Sequence, residues 1–186
     1  TLKTLESSEF PRIEADNWEE RFKIKQVDLK RLLDKTSFAM AVQDVRYYLN
    51  GVLLELEKNT LRAIATDGHR LAQTDVDISL DISEPRQLIV PRKAVTEINR
   101  FIDADSEGEI TIEISKNHLK LTKGETVLIT KLIDGKFPEF KGVLDTELSI
   151  VIKSNRAEFI ETMNRAAVLT TDRFKGVKIV LEPGVM

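Results

Sequence analysis

One pattern occurs twice in the middle of this chain and limits its fold more than any other feature. It is a short alternating strand, an amphipathic helix, then three strands. In the first copy Phe22, Ile24 and Val27 alternate as a strand should, and the pattern then turns helical from about residue 27 to 41. Leu29, Leu32, Leu33 and Met40 share one face of that predicted helix, with Lys30, Arg31, Asp34 and Lys35 on the other. Phe38 falls off the stripe. Three strands are expected next, near 48–57, 61–66 and 70–78, separated by Lys58-Asn59 and Asp67-Gly68. The second copy opens with Leu88-Ile89-Val90, and Pro91 suits the first position of a helix running to about 104. Ala94, Val95, Ile98, Phe101 and Ile102 give it an apolar face; strands near 109–115, 118–122 and 126–132 complete the copy. Each copy runs roughly 65 residues, too long for a solenoid repeat. Two helices on one side of antiparallel sheet predict a layered α+β domain.

Composition narrows the function classes. The 186 residues are 41% hydrophobic and 32% charged, ordinary globular material with room for a core. No apolar run approaches the ~20 residues of a spanning helix, and no signal peptide is visible at the start. The absence of cysteine excludes disulfides and thiol chemistry and fits a cytoplasmic address. A net charge of −3 means that any nucleic-acid contact has to come from a local basic surface. The two predicted helices supply one: six basic side chains stand there against four acidic ones, although such residues usually form a solvated face.

The stretch ATDGHRLA, residues 65–72, has its own chemistry. Asp67-Gly68 is a turn dipeptide between two alternating runs, so it presents His69 and Arg70 at the end of a hairpin with Leu71 beside them. Asp67 and His69 form an Asp-x-His pair of the kind that opens a two-metal phosphoesterase site. Such a site needs further ligands. The chain has only two histidines, and His118 belongs to another hairpin, so neither a metal nor a cofactor is expected. No nucleophile elbow and no glycine-rich phosphate loop occurs. Leu49, Leu71 and Leu144 read on their own as core residues.

ATDGHRLA stands in a wider set. QDVRYYLNG (43–51), ATDGHRLA, VPRKAV (90–95) and KLIDGKFPEF (131–140) follow one another at a spacing that resembles the middle domain of the bacterial sliding clamp, the beta subunit of DNA polymerase III. That resemblance implies the DNA-clamp fold, with the βαβββ unit twice per domain. It implies a non-catalytic processivity factor, three such domains per chain, and a head-to-tail homodimer that encircles duplex DNA without reading its sequence. Its partners would be the replicative polymerase, the clamp loader and other proteins carrying a clamp-binding motif. A peptide-binding groove between the middle and last domains would be lined here by Arg46, Leu49, Thr66, Gly68, His69, Arg70, Leu71 and Leu144. The family often has proline where Asp145 stands. Residues facing DNA would be Lys30, Arg31, Lys35, Gln43, Tyr47, Tyr48, Arg92, Lys93 and Arg100.

A longer repeat suggests how the chain divides. Leu5 and Phe10-Pro11 recur as Leu132 and Phe137-Pro138, and Gly51-Val52 recurs as Gly176-Val177. Between them Phe159, Ile160, Met163, Ala166 and Ala167 give another helical face, with Ser154 or Asn155 as its N-cap. The expected arrangement is the tail of one clamp domain in 1–14, with no element beyond a short strand ending in Phe10-Pro11, a complete middle domain in 15–145, and the start of the last domain in 146–186. The chain is thus expected to be a fragment of a longer protein. Two other classes compete: a metal-dependent phosphoesterase built on Asp67 and His69, and a stand-alone peptide-binding module.

Overall fold

The computed structural model describes residues 4, 6–9, 17–82, 84–103, 106–144, 147–148, 150–170 and 176–182. Phe10-Pro11 of the long repeat, Asp145, and the ends of the expected elements at 11–14 and 104 lie outside them. The chain divides after Pro138 into two compact units.

In the first unit the strand-helix-three-strand pattern holds in both copies. The first copy is β1 (Glu20–Lys25), α1 (Gln26–Asp34), β2 (Gly51–Glu57), β3 (Thr60–Thr66) and β4 (Leu71–Asp77). The second is β5 (Arg86–Pro91), α2 (Arg92–Phe101), β6 (Glu109–Ile114), β7 (His118–Lys123) and β8 (Thr126–Lys131). The copies exchange their first strands. One sheet has the order β1-β6-β7-β8 and the other β4-β3-β2-β5, every neighbour pair antiparallel. The exchange makes the two copies mutually dependent, because neither completes a four-stranded sheet alone.

Strand alternation sends one face of each sheet towards the helices. Ile24, Ile110, Ile112, Leu119 and Leu121 of one sheet, and Val52, Leu54, Ala63, Ala65, Leu88 and Val90 of the other, join Leu29, Leu32, Leu33, Val95 and Ile98 in one core. Neither helix has a side-chain N-cap. Instead the first helical amide donates to the carbonyl just before the strand that pairs next to it, Gln26 N to Gly108 O at 3.0 Å and Arg92 N to Asn50 O at 2.9 Å. This satisfies one orphan donor per helix from the other copy.

Three expectations shift. The first helix ends at Asp34, well short of Ala41, and a 3-10 turn at Ser37–Ala39 follows. The buried Thr36 hydroxyl donates to Leu32 O at 2.7 Å and ends the helix, competing as hydroxyls do with the backbone ladder. Lys35 is therefore a C-cap residue. Met40 is buried as expected, but from the segment after the turn. Phe38, off the apolar stripe, is exposed on that turn. Pro91 is the N-cap residue and ends β5, where an edge strand tolerates a missing donor. Residues 7–9 form a 3-10 turn rather than a strand.

In the second unit Lys141–Leu144 make a short helix, α3, and Arg156–Ala167 make α4. Asn155 caps α4, its side-chain oxygen accepting from Ala157 N at 2.9 Å and Glu158 N at 3.3 Å. No residue of α4 is buried, and Ile150, Val151, Ile152, Ile179 and Leu181 are exposed.

Candidate functional site: the Asp67 hairpin and the helix face

The β3–β4 connection is a closed polar knot. Asp67 Oδ1 accepts from His69 N at 2.9 Å and Arg70 N at 3.0 Å, and its Oδ2 from Arg70 Nε at 3.1 Å. The Thr66 hydroxyl accepts from Gly68 N at 3.0 Å and donates to Arg70 O at 2.7 Å. Gly68 has φ of +88°, a conformation glycine enters without a Cβ penalty. These bonds hold the Asp67 carboxyl below its ordinary pKa, the His69 amide contributing most. A carboxylate so occupied shapes its own turn. No group of three or more His, Asp or Glu side chains is placed to hold a metal among the described residues.

Arg46 reaches this knot from the loop 35–50. Its Nε and one terminal nitrogen grip Asp44 bidentately at 3.0 and 2.8 Å, and the same nitrogen donates to Asp67 O at 3.3 Å. Asp44 is held down to about 2, first by the Arg46 side chain and then by the Arg46 amide. Asn50 fixes the loop's other end, accepting from Asp44 N at 2.9 Å and donating to Asp44 O at 2.8 Å. Nothing in the sequence marks Asp44, because an acid two places before an arginine is too common a spacing to signal this network.

Of the groove candidates, Arg46, Thr66, Gly68, His69, Arg70 and Leu71 are brought together at this corner. Leu71 is half-buried and pairs with Thr66 across the strands. Leu49 is only 1% exposed, so it presents no surface to a ligand. Leu144 belongs to the second unit, 47% exposed at the end of α3.

Leu71 also heads an apolar row that sequence reading missed. Strand register continues Thr66 with Ile64, Leu53 and Ile89 on the sheet face away from the helices. All three are buried although outside the helix-packed core. Ile89 bridges to Ile133, and Phe137 shares a cavity of about 150 Å³ with Leu53 and Ile89. Because β2 is buried at almost every position, its sequence does not alternate and its two faces cannot be told apart by pattern.

The basic candidates have mixed settings. Arg31 donates to Asp75 O at 2.6 Å, and Arg92 to the carbonyls of Met40 and Ala41 at 3.3 and 3.4 Å. Lys30 meets Asp34 at 3.1 Å and Asn99 at 3.4 Å, and Arg100 meets Glu97 at 3.0 Å. Lys35 and Lys93 are exposed and make no ion pair among the described residues. Gln43 is exposed with φ of +54°. Tyr47 and Tyr48 stack edge to face, centroids 5.8 Å apart, against Gly135, where an added Cβ would stand 3.2 Å from the Tyr47 ring.

Comparison with known proteins agrees with this architecture. Residues 23–139 match the family model described as DNA polymerase III beta subunit, central domain. The chain is 41% identical over 186 residues to the beta sliding clamp of Pseudomonas aeruginosa, covering 50% of that protein. It is 36% identical over 179 residues to that of Escherichia coli, covering 48%. A crystal structure of the Pseudomonas aeruginosa DnaN sliding clamp bound to griselimycin superposes with a TM-score of 0.85 at 41% identity, over 92% of this chain and 46% of that one. The chain thus spans about half the length of the curated relatives it matches. With the exchanged βαβββ copies and a family match over most of the first unit, the chain belongs to the DNA polymerase III beta subunit family, the bacterial sliding clamps.

Proposed function

We propose that this chain supplies the middle domain, in 15–145, and flanking parts of a ring that encircles duplex DNA and tethers a polymerase to it. The protein catalyses nothing. Tethering turns rebinding into an effectively intramolecular event. The observation that carries the reading is the placing of basic helices and an apolar-floored hairpin corner on opposite faces of one duplicated domain. One face suits phosphates, which flexible Lys and Arg hold without reading sequence. The other suits a short hydrophobic peptide, with Leu71 as apolar anchor and Arg46, Thr66, Gly68, His69 and Arg70 at its polar edge. Leu49, buried at 1% exposure, supports that corner through packing rather than by contact with the peptide.

In this reading the whole protein is a head-to-tail homodimer in the cytoplasm, serving the polymerase, the clamp loader and other peptide-bearing partners. No helix among the described residues is long and apolar enough to cross a membrane. The test is topological. Full-length protein loaded on circular duplex should stay bound and should leave when the circle is cut. Neutralising Lys30, Lys93 and Arg100 should lower the salt slope of binding by up to about 1 each. Retention that is indifferent to cutting would overturn the ring, and a sequence preference would overturn phosphate contact as its basis.

A further inference from the structure

Two arginines stand at the hairpin corner, and each carries its own carboxylate on the inner side. Asp44 grips Arg46 at 3.0 and 2.8 Å, and Asp67 takes Arg70 Nε at 3.1 Å. The arginine side chains are 46% and 58% exposed, whereas both aspartates are 23% exposed. An incoming chain therefore meets nitrogen donors, although the formal charges of the four residues sum to zero.

The two pairs are not equivalent. Asp67 also accepts from the amides of His69 and Arg70, so the turn depends on it whatever Arg70 meets. The loop that carries Asp44 has ties that do not use its carboxylate: Asn50 holds the Asp44 amide and carbonyl, and Ala41 N donates to Leu49 O at 3.0 Å. What Asp44 adds is charge. Its carboxyl stays ionised at neutral pH, held down to about 2. It leaves Arg46 Nη1 without a hydrogen bond among the described residues, 3.1 Å from where a Cβ on Gly68 would stand. An amide or hydroxyl oxygen can accept from that nitrogen, because the bond is short-ranged and directional. A carboxylate gains the same bond but also stands in the field of Asp44, and the like charge offsets part of the attraction.

We propose that Asp44 is a specificity-determining residue that acts through Arg46: it holds the guanidinium in a neutral pair and so keeps the hairpin corner from selecting acidic peptides over uncharged ones. The inference rests on the peptide reading of the corner given above. Specificity is a difference of affinities, so its signature is a change in the ratio between two ligands, not in the affinity for either one.

The experiment measures two synthetic peptides on the full-length protein at low ionic strength. Both carry the same polymerase-derived apolar anchor, and they differ only in an Asp or an Asn at the polar end. Asp44→Asn keeps an oxygen that can accept from Arg46 N and removes the charge. It should raise the ratio of Asp-peptide to Asn-peptide affinity by about two- to fivefold over the wild type. The rise should fade near 1 M salt, where the screening length is roughly 3 Å. Arg46→Gln leaves Asp44 uncompensated and should lower the ratio. The double variant, again a neutral pair, should return it towards the wild-type value. A residue that only shaped the loop would change both peptides alike and give no such reversal. An unmoved ratio in Asp44→Asn, or a double variant as far from wild type as Asp44→Asn, overturns the inference. Where Asp44→Asn fails to fold, Arg46→Gln reads the same pair from the other side, and an unmoved ratio there overturns it too. Binding of neither peptide by the wild type overturns the peptide reading of the corner as well, so the two failures are told apart.

Discussion

The two βαβββ copies share a frame and differ in how they turn. After α1 the chain uses residues 35–50 to reach β2, whereas after α2 it needs only 102–108 to reach β6. The β3–β4 hairpin turns through Asp67–Arg70, while β7–β8 turns on Gly124-Glu125 alone. The frame bonds recur in both copies, Gln26 N to Gly108 O matching Arg92 N to Asn50 O, so the longer first-copy connections are not needed to fold the unit. Those connections hold the Asp44–Arg46–Asp67 network, the tyrosine pair, Phe38 and the hairpin corner. A duplicated scaffold has kept one plain copy and elaborated the other, and the elaboration marks the candidate site.

The largest effect should come from the one place where the frame itself is tight. In register, Gly51 faces Pro91 as Glu109 faces Lys25. A Cβ at residue 51 would stand 2.4 Å from the backbone oxygen of Val90, which cannot swing aside as a side chain can. Gly51→Val should cost roughly 2–4 kcal/mol in urea unfolding. The matching Glu109→Val, at a side chain 55% exposed, should stay within about 0.5 kcal/mol. Equal tolerance at the two positions would show that the copies do not differ here.

Much of that frame was legible in the sequence. The alternating strands and the α2 stripe emerged close to their predicted places, because half-buried edge and hairpin strands keep a two-residue period. The end of α1 did not, since Met40 lies at helical spacing from Leu29, Leu32 and Leu33 yet is buried from a separate segment. Strand exchange was invisible, because periodicity fixes faces and not partners. The Asp67 turn was readable from Asp-Gly chemistry. The row Leu53, Ile64 and Ile89 was not, as strands buried on both faces lose their alternation.

The next effect bears on what the elaborated copy binds. Leu71→Ala in the full-length protein should weaken a polymerase-derived hydrophobic peptide by about ten- to a hundredfold, the loss of one buried leucine contact. Its melting temperature should hardly move, because Leu71 is half-buried and sits at a strand start. Leu49→Ala, by contrast, removes a fully buried side chain and reports on stability. Unchanged peptide affinity in a folded Leu71→Ala protein would remove the hairpin corner from the site.

Acid separates the copies more gently. Asp44 titrates near 2 in the folded chain against an ordinary 3.8, so its bond to Arg46 stabilises the loop fully above about pH 4. That contribution should fade as the pH falls towards 2, because the depressed carboxyl takes up its proton last in the folded state. Protection of the loop 35–50, taken as exchange relative to the intrinsic rate at each pH, should therefore fall across this window. In Asp44→Asn that protection should be lower from the start and flat with pH, and the 102–108 connection should show no such step. A wild-type loop indifferent to pH over that range would refute the role given to Asp44.

The smallest effect compares the two hairpin glycines. Gly124 has φ of +57° and nothing within 4 Å of an added Cβ, so Gly124→Ala should cost only the left-handed backbone penalty, about 1 kcal/mol. Gly68 has φ of +88° and an Arg46 terminal nitrogen 3.1 Å from the same point. Alanine there meets the backbone penalty and also nudges a guanidinium that can partly give way, since it is the far end of a flexible side chain. The excess should be a few tenths of a kcal/mol, about the error of additivity, so it has to be read as a cycle. In an Arg46→Ala background the excess should vanish while the Gly124 value stays fixed. If the excess survives, the extra strain at Gly68 is intrinsic to its backbone. Arg46 would then merely lie over a turn that Asp67 and Thr66 have already closed.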